Sequence, residues 1–274
     1  MTATTWILAA DGNQARLLKG VNLLKDCQQN PEQEIFRWEP KKAQDIMADR
    51  PGRSHSSVGP GRSAMEYSSD PVREEQQKFT AEIAGRIDDY AADARAAALV
   101  LDAPVVLLGH SLGALIAMRA AMRLPRLAGL LLVAPSPPGN MPGVAAVPTV
   151  PEGALIPPPG EAVATARFLG GERPGGLDAY RAALSPESPR ALNDRYALRV
   201  TVDPVRFTAV PTLVVEAGRD DAERHPAGQD AAIARFLGGT HLLLPDMPHC
   251  MMLAPWAEEA AAPLIAWHRA RFAR

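Results

Sequence analysis

Two cysteines, Cys27 and Cys250, are all the thiol chemistry this 274-residue chain has. They are too few for a disulfide framework and fit no metal-knuckle spacing, so a reducing, cytoplasmic setting is expected. Charge of one sign is equally scarce, because 29 Lys and Arg against 31 Asp and Glu leave a formal net charge of −2. No global field is left to hold a polyanion, which argues against nucleic acid as a partner and for a small, uncharged molecule. No apolar stretch is long enough to span a bilayer, and the run from Met1 to Ala10 has neither a basic n-region nor a long apolar h-region. Neither a membrane anchor nor a signal peptide is therefore expected. What remains, 47% hydrophobic and 22% charged residues, is a globular composition that can bury one large core or two modest ones.

Along the chain, Trp6 to Ala10, Ala15 to Lys19 and Ile35 to Glu39 read as strands of a small meander, separated by turn-forming residues. Pro40 to Asp70 is polar and rich in Gly, Ser and Pro, and is expected to be a loop. Asp70-Pro71 is a helix start, and Phe79, Ile83, Ile87, Tyr90, Ala94 and Ala98 carry an amphipathic face on to about Val100. The apolar run Val105 to Leu108, the helix formers Ala114 to Leu124 and the run Gly129 to Val133 then predict strand, helix and strand. Further strands are expected at Pro211 to Glu216 and His241 to Leu244, with a closing helix from Trp256 to Phe272. These strands lack polar alternation, as parallel strands covered on both faces do. A proline-heavy insertion at about 135–210, helical around Leu177 to Leu184, would form a cap. The fold class expected is α/β: a parallel sheet with a cap insertion, preceded by a β-meander and a long helix.

Gly109-His110-Ser111-Leu112-Gly113 matches G-x-S-x-G between an apolar strand and an alanine-rich helix. That context places the serine on a tight strand-to-helix turn with its hydroxyl above the sheet, near a helix N-terminus that favours negative charge. Ser111 is the candidate nucleophile, and the Leu112 N–H the candidate oxyanion donor. The loop Gly218-Arg219-Asp220-Asp221 after a later strand supplies the acid; Asp221 is expected, with Asp220 in reserve. The plainer alternative is that both aspartates decorate a solvated loop with Glu223. A metal site from Asp220, Asp221 and His225 lacks a second ligand cluster, so no metal is expected.

Six histidines compete for the base: His55, His110, His225, His241, His249 and His268. His249 follows the last predicted strand at once, which completes the order Ser…Asp…His. His241 begins a strand, His268 lies in the closing helix, and His55 is in the polar loop. His110 adjoins the serine, where its ring is expected to point away. In the mechanism these residues imply, His249 takes the Ser111 proton during attack on an ester carbonyl, and Asp221 orients the imidazole. No cofactor is called for.

From about Ile87 to the C-terminus the chain resembles the α/β-hydrolase family, through Asp88-Asp89-Tyr90, Gly109-His110-Ser111-Leu112-Gly113, Val210 to Val215, Gly218 to Asp221, and Pro248-His249. The resemblance implies a doubly wound sheet, of which the last four strands are present, a variable cap and the triad placed as above. It departs from the family in lacking the early strands and the His-Gly loop that donates a second oxyanion N–H. Losing such a donor costs about 10²–10³ in turnover. Residues 1 to about 85 are similar to the bacterial host-attachment proteins, through Thr5 to Gly12, Asp49-Arg50-Pro51-Gly52-Arg53-Ser54, Gly61-Arg62 and Asp70-Pro71. This second resemblance implies an association with attachment and carries over no catalytic residue. Arg50, Arg53 and Arg62 could bind an anion or simply be solvated.

The chain thus divides into residues 1–85 and 86–274, with the seam inside the long helix. Two functions stand against each other. One is a serine hydrolase acting on a small, fairly apolar ester; the other is an attachment or binding protein with a vestigial hydrolase domain. The edge of the Val105 strand, bare without the missing strands, would need the N-terminal strands or a second copy of the chain to cover it.

Overall fold

In the computed structural model of the chain, the described residues are 5–10, 14–21, 32–37, 53–55, 62–64, 85–100, 104–172, 175, 177–184 and 186–272. The strands β1 (Thr5–Ala10), β2 (Gln14–Val21) and β3 (Glu32–Arg37) form the expected antiparallel meander, with Ile7 opposite Leu18 and Arg16 opposite Ile35. Within the stretch expected as loop, β4 (Arg53–His55) and β5 (Arg62–Ala64) pair antiparallel. Strands this short are set by cross-strand pairing and leave almost no periodic pattern to read. The anion-binding reading of Arg50, Arg53 and Arg62 concerns side chains outside the described ones.

Helix α1 (Ile87–Val100) is the end of the predicted long helix; the part expected before residue 85 lies outside the described residues. Its apolar face buries Ile87, Ala91 and Ala98. There follow β6 (Val105–His110), α2 (Leu112–Ala121) and β7 (Leu127–Val133). The cap insertion holds α3 (Glu161–Phe168), α4 (Leu177–Ala183) and α5 (Pro189–Tyr196), of which sequence periodicity indicated only α4. The α5 start is marked instead by its cap, Ser188 Oγ accepting from Ala191 N at 3.3 Å with Pro189 at the first position. Asp194 ties α5 to α1, accepting from Arg86 Nη1 at 2.7 Å and from Ile87 N at 3.3 Å. The chain then returns through β8 (Thr212–Ala217), α6 (Gln229–Leu237), β9 (Thr240–Leu244) and α7 (Ala257–Phe272).

β6 to β9 form one parallel sheet in the order β6-β7-β8-β9, so the α/β architecture is as expected. Alternate residues of β7 enter opposite apolar layers. Leu130 and Leu132 pack with Leu115, Met118 and Ile233, whereas Leu131 and Val133 pack with Val215 and Trp267. The central strands β7 and β8 are covered on both faces, which is why they read as unbroken apolar runs, whereas β6 and β9 are partly exposed. β1 to β3 hydrogen-bond to one another in a separate sheet, so they do not complete the parallel sheet by extending β6. Strands linked by short turns pair antiparallel with each other, and joining a parallel sheet takes a longer crossover. Among the described residues β6 is therefore the edge of this sheet, and Leu108 on it is 59% exposed. Among the described residues no helix is long and apolar enough to cross a membrane.

Candidate active site

Ser111 joins β6 to α2 with φ 55° and ψ −123°, a conformation that non-glycine residues rarely adopt. Its peptide is held on both sides: Ser111 N donates to Val133 O at 3.0 Å, and Ser136 N donates to Ser111 O at 3.0 Å. The two glycines of the motif differ in their necessity. A Cβ on Gly109 would lie 2.5 Å from Ala114 Cα and from Gly113 O, whereas one on Gly113 would meet nothing within 4 Å. The strand must pass so close to the incoming helix that only the first position excludes a side chain. Leu112 opens α2, where first-turn N–H groups have no intrahelical acceptor.

The other two components meet because the loops after β8 and β9 are laced together. Gly218 N donates to Leu244 O at 2.9 Å and Arg219 N to Met247 O at 3.0 Å. At Gly218 a Cβ would come 2.4 Å from Pro245 O. This close approach brings His249 Nδ1 to 2.7 Å from Asp220 Oδ2, with both side chains almost wholly buried. An Nδ1–H donating to a carboxylate leaves Nε2 as the nitrogen able to accept a proton.

The partner of His249 is thus Asp220 and not Asp221, which corrects the expectation from loop spacing. Asp221 instead organises its own turn, its Oδ1 accepting from Glu223 N at 3.1 Å, and its Oδ2 lies 3.4 Å from Arg167 Nε on the cap. Ser111 Oγ makes no hydrogen bond to His249 among the described residues, a contact that often forms only once substrate is bound.

Two histidines set aside at the sequence level pack on the base. The Nε2–H of His110 donates to the His249 carbonyl at 2.9 Å, and the two rings lie 4.8 Å apart. His225 packs against His249 at the same 4.8 Å centroid distance, with its Nδ1 3.9 Å from Asp220 Oδ2. Burial, reinforced by the neighbouring His249, pushes His110 down to about 4. His225 is also pushed down to about 4 by burial, against the pull of Asp220. Both rings are therefore neutral near neutral pH, and they pack on His249 without placing a positive charge beside it. No sequence periodicity could have revealed this stack, since its three rings come from three separate loops and strand ends.

Donor atoms of Asp220, His225 and His249 lie within 4.8 Å of one another, a set a divalent cation could use. It differs from the trio weighed in the sequence, with His249 in place of Asp221, and a metal there would compete with the His249–Asp220 hydrogen bond. Cys250, beside the base, is pushed up to about 11 by burial, so its thiol stays protonated and is a poor nucleophile. Asp230, buried near Glu216 and Asp220, is pushed up to about 8, chiefly by desolvation.

Residues 6–118 match the family model described as "Protein required for attachment to host cells". That match crosses the boundary drawn at 85 and takes in Ser111. Among solved structures, the chain is similar to a thermophilic esterase, with 21% identity and TM-score 0.45 over 66% of this chain and 73% of that one. It is also similar to a methylesterase from Arabidopsis, with 19% identity and TM-score 0.47 over 66% of this chain and 77% of that one. A monoacylglycerol lipase from Paleococcus ferrophilus aligns at 15% identity and TM-score 0.46, over 67% of this chain and 75% of that one.

Proposed function

We propose that the protein is a serine hydrolase that cleaves a small, fairly apolar ester through an acyl-enzyme. The observation that carries this reading is the strained backbone of Ser111, at φ 55°, on the same edge of the sheet as the hydrogen-bonded Asp220–His249 pair. Holding a serine this way costs about 1–3 kcal/mol, and such strain concentrates at sites where it positions a reacting group. His249 Nε2 takes the Ser111 proton as Oγ attacks the ester carbonyl, Asp220 holds the imidazole tautomer and its charge, and the Leu112 N–H receives the oxyanion. His249 then returns the proton to the leaving alcohol, and water, activated by the same imidazole, releases the acid and frees Ser111. A cytoplasmic location fits a chain with two cysteines, one of them a buried free thiol.

The test is hydrolysis of an activated aryl ester and labelling by a fluorophosphonate probe. Both should be lost in Ser111→Ala, with the circular dichroism spectrum unchanged. Turnover that survives the substitution, or labelling of another serine, would remove the assignment. The second reading, an attachment-type protein with a weak or vestigial hydrolase site, is favoured by the missing His-Gly donor and by the lack of a Ser111–His249 hydrogen bond among the described residues. It predicts no labelling of the wild-type chain.

A further inference from the structure

Arg195 stands in the last turn of α5, half-buried, and reaches from the cap to the sheet. Its Nε donates to Ser136 Oγ at 3.0 Å, and Ser136 is the residue whose N–H holds the Ser111 carbonyl, also at 3.0 Å. Ser136 is 2% exposed, so the guanidinium is anchored through Nε to a buried partner while Arg195 itself is only half-buried. Its charge also reaches His225, which packs on His249. Arg195 therefore reaches the segment that follows the C-terminal end of β7, the end of the sheet where α/β folds bind their ligands, and is linked through Ser136 to Ser111 and through its charge to His225.

Arg195 has no counter-charge among the described residues, and Arg224 lies near it as a second cation. Arg86, Arg119, Arg167, Arg181 and Arg219 each face a carboxylate. Among the described residues Arg195 has none within ion-pair distance, and its only close π partner is the ring of Tyr196, 5.4 Å from Cζ. Burial and the charge of Arg224 both act to lower its pKa, as expected of a cation withdrawn from water beside another cation. With Nε committed to Ser136, the two Nη groups have no acceptor among the described residues and form a fork that matches a carboxylate. Both neighbouring histidines are uncharged near neutral pH, so the positive charge in this part of the site comes from Arg195 and the nearby Arg224.

We propose that Arg195 binds an anionic group of the substrate, so that the ester cleaved at Ser111 has a short apolar chain ending in a carboxylate. The proposal rests on the reading of Ser111 as nucleophile, but it can fail separately. It also agrees with an acidic chain not needing a wide basic surface, since one preorganised fork is enough for one carboxylate.

The test compares para-nitrophenyl hemiglutarate with para-nitrophenyl hexanoate, its uncharged counterpart of similar length. The wild-type chain should favour the hemiglutarate by about ten- to hundredfold in kcat/KM, mostly through KM, as a charge-assisted contact to a carboxylate implies. Arg195→Met should bring the ratio of the two esters close to one, and Arg195→Lys, which keeps the charge but loses the fork, should keep part of it. Equal or better turnover of hexanoate by the wild-type chain overturns the proposal, and so does a preference that persists in Arg195→Met. If neither ester is cleaved, the hydrolase reading falls, and calorimetry with glutarate decides the anion site by itself. Binding that is lost in Arg195→Met upholds it; no binding to the wild-type chain ends it.

Discussion

His249 Nδ1 lies 2.7 Å from Asp220 Oδ2, while the next residue, Asp221, turns its carboxylate towards Arg167 Nε, 3.4 Å away. One residue of separation decides which carboxylate pairs with His249. Asp220→Asn should lower turnover by about 10²–10⁴, because an amide there favours the wrong imidazole tautomer. Asp221→Asn should lower it by less than about tenfold, through a loosened turn and cap contact. Steady-state kinetics on an activated ester, with both variants checked for folding, would show the reverse order if Asp221 were the acid.

The glycines on either side of Ser111 should respond unequally to the same change. In Gly109→Ala the new methyl must displace backbone atoms that stand 2.5 Å away. Overpacking of this kind costs about 1–3 kcal/mol even against side chains, and backbone yields less. A clearly lower midpoint of thermal unfolding and loss of turnover are expected. Gly113→Ala has open space and should melt within a degree or two of wild type, which differential scanning fluorimetry can resolve.

Three buried groups set opposing trends of stability with pH. His110 and His225 are held near 4 in the folded chain against an ordinary 6.5, so between these values the unfolded chain binds two more protons. Stability from the two histidines is therefore lost as pH falls from about 6.5 to about 4. Asp230 runs the other way, near 8 when folded against 3.8, so its contribution is lost as pH rises through that window. The histidines outweigh the aspartate below about 6.5 and only the aspartate acts above it. Urea unfolding should show a maximum near pH 6.5, with limbs sloping by about 1.4 kcal/mol per pH unit for the one net proton on each side. Asp230→Asn should flatten the alkaline limb; an unchanged limb would mean that Asp230 is ionised in the folded protein.

Among the described residues nothing pairs with the outer edge of β6, Leu108 on it is 59% exposed, and the N-terminal strands pair with one another. A second copy of the chain is the occupant we expect, by edge-to-edge pairing. Size-exclusion chromatography should show concentration-dependent association that weakens in Leu108→Lys. A monomer at every concentration would mean that another part of the chain covers the edge.

The linear order of residues was enough to locate the elements of the parallel sheet and to single out Ser111 and His249 as candidates. Gly129 to Val133 and Thr212 to Ala217 are buried on two faces, and that condition leaves an apolar run that needs no partner to be recognised; Val105 to Leu108, on the edge strand, is apolar but only partly buried. The strained turn leaves a similar local trace, because Gly109 has to be small where α2 crosses β6. Asp220 and Asp221 leave no such trace. They are chemically identical neighbours, and their directions are settled by the approach of Gly218 to Pro245 and by the Arg219 N–Met247 O bond, both made by a loop more than twenty residues further along. The packing of His110 and His225 on His249, the charge of Arg195 left without a carboxylate, and the separate N-terminal sheet belong to the same kind. Each depends on which distant segments the backbone brings together, so tertiary structure alone decided them.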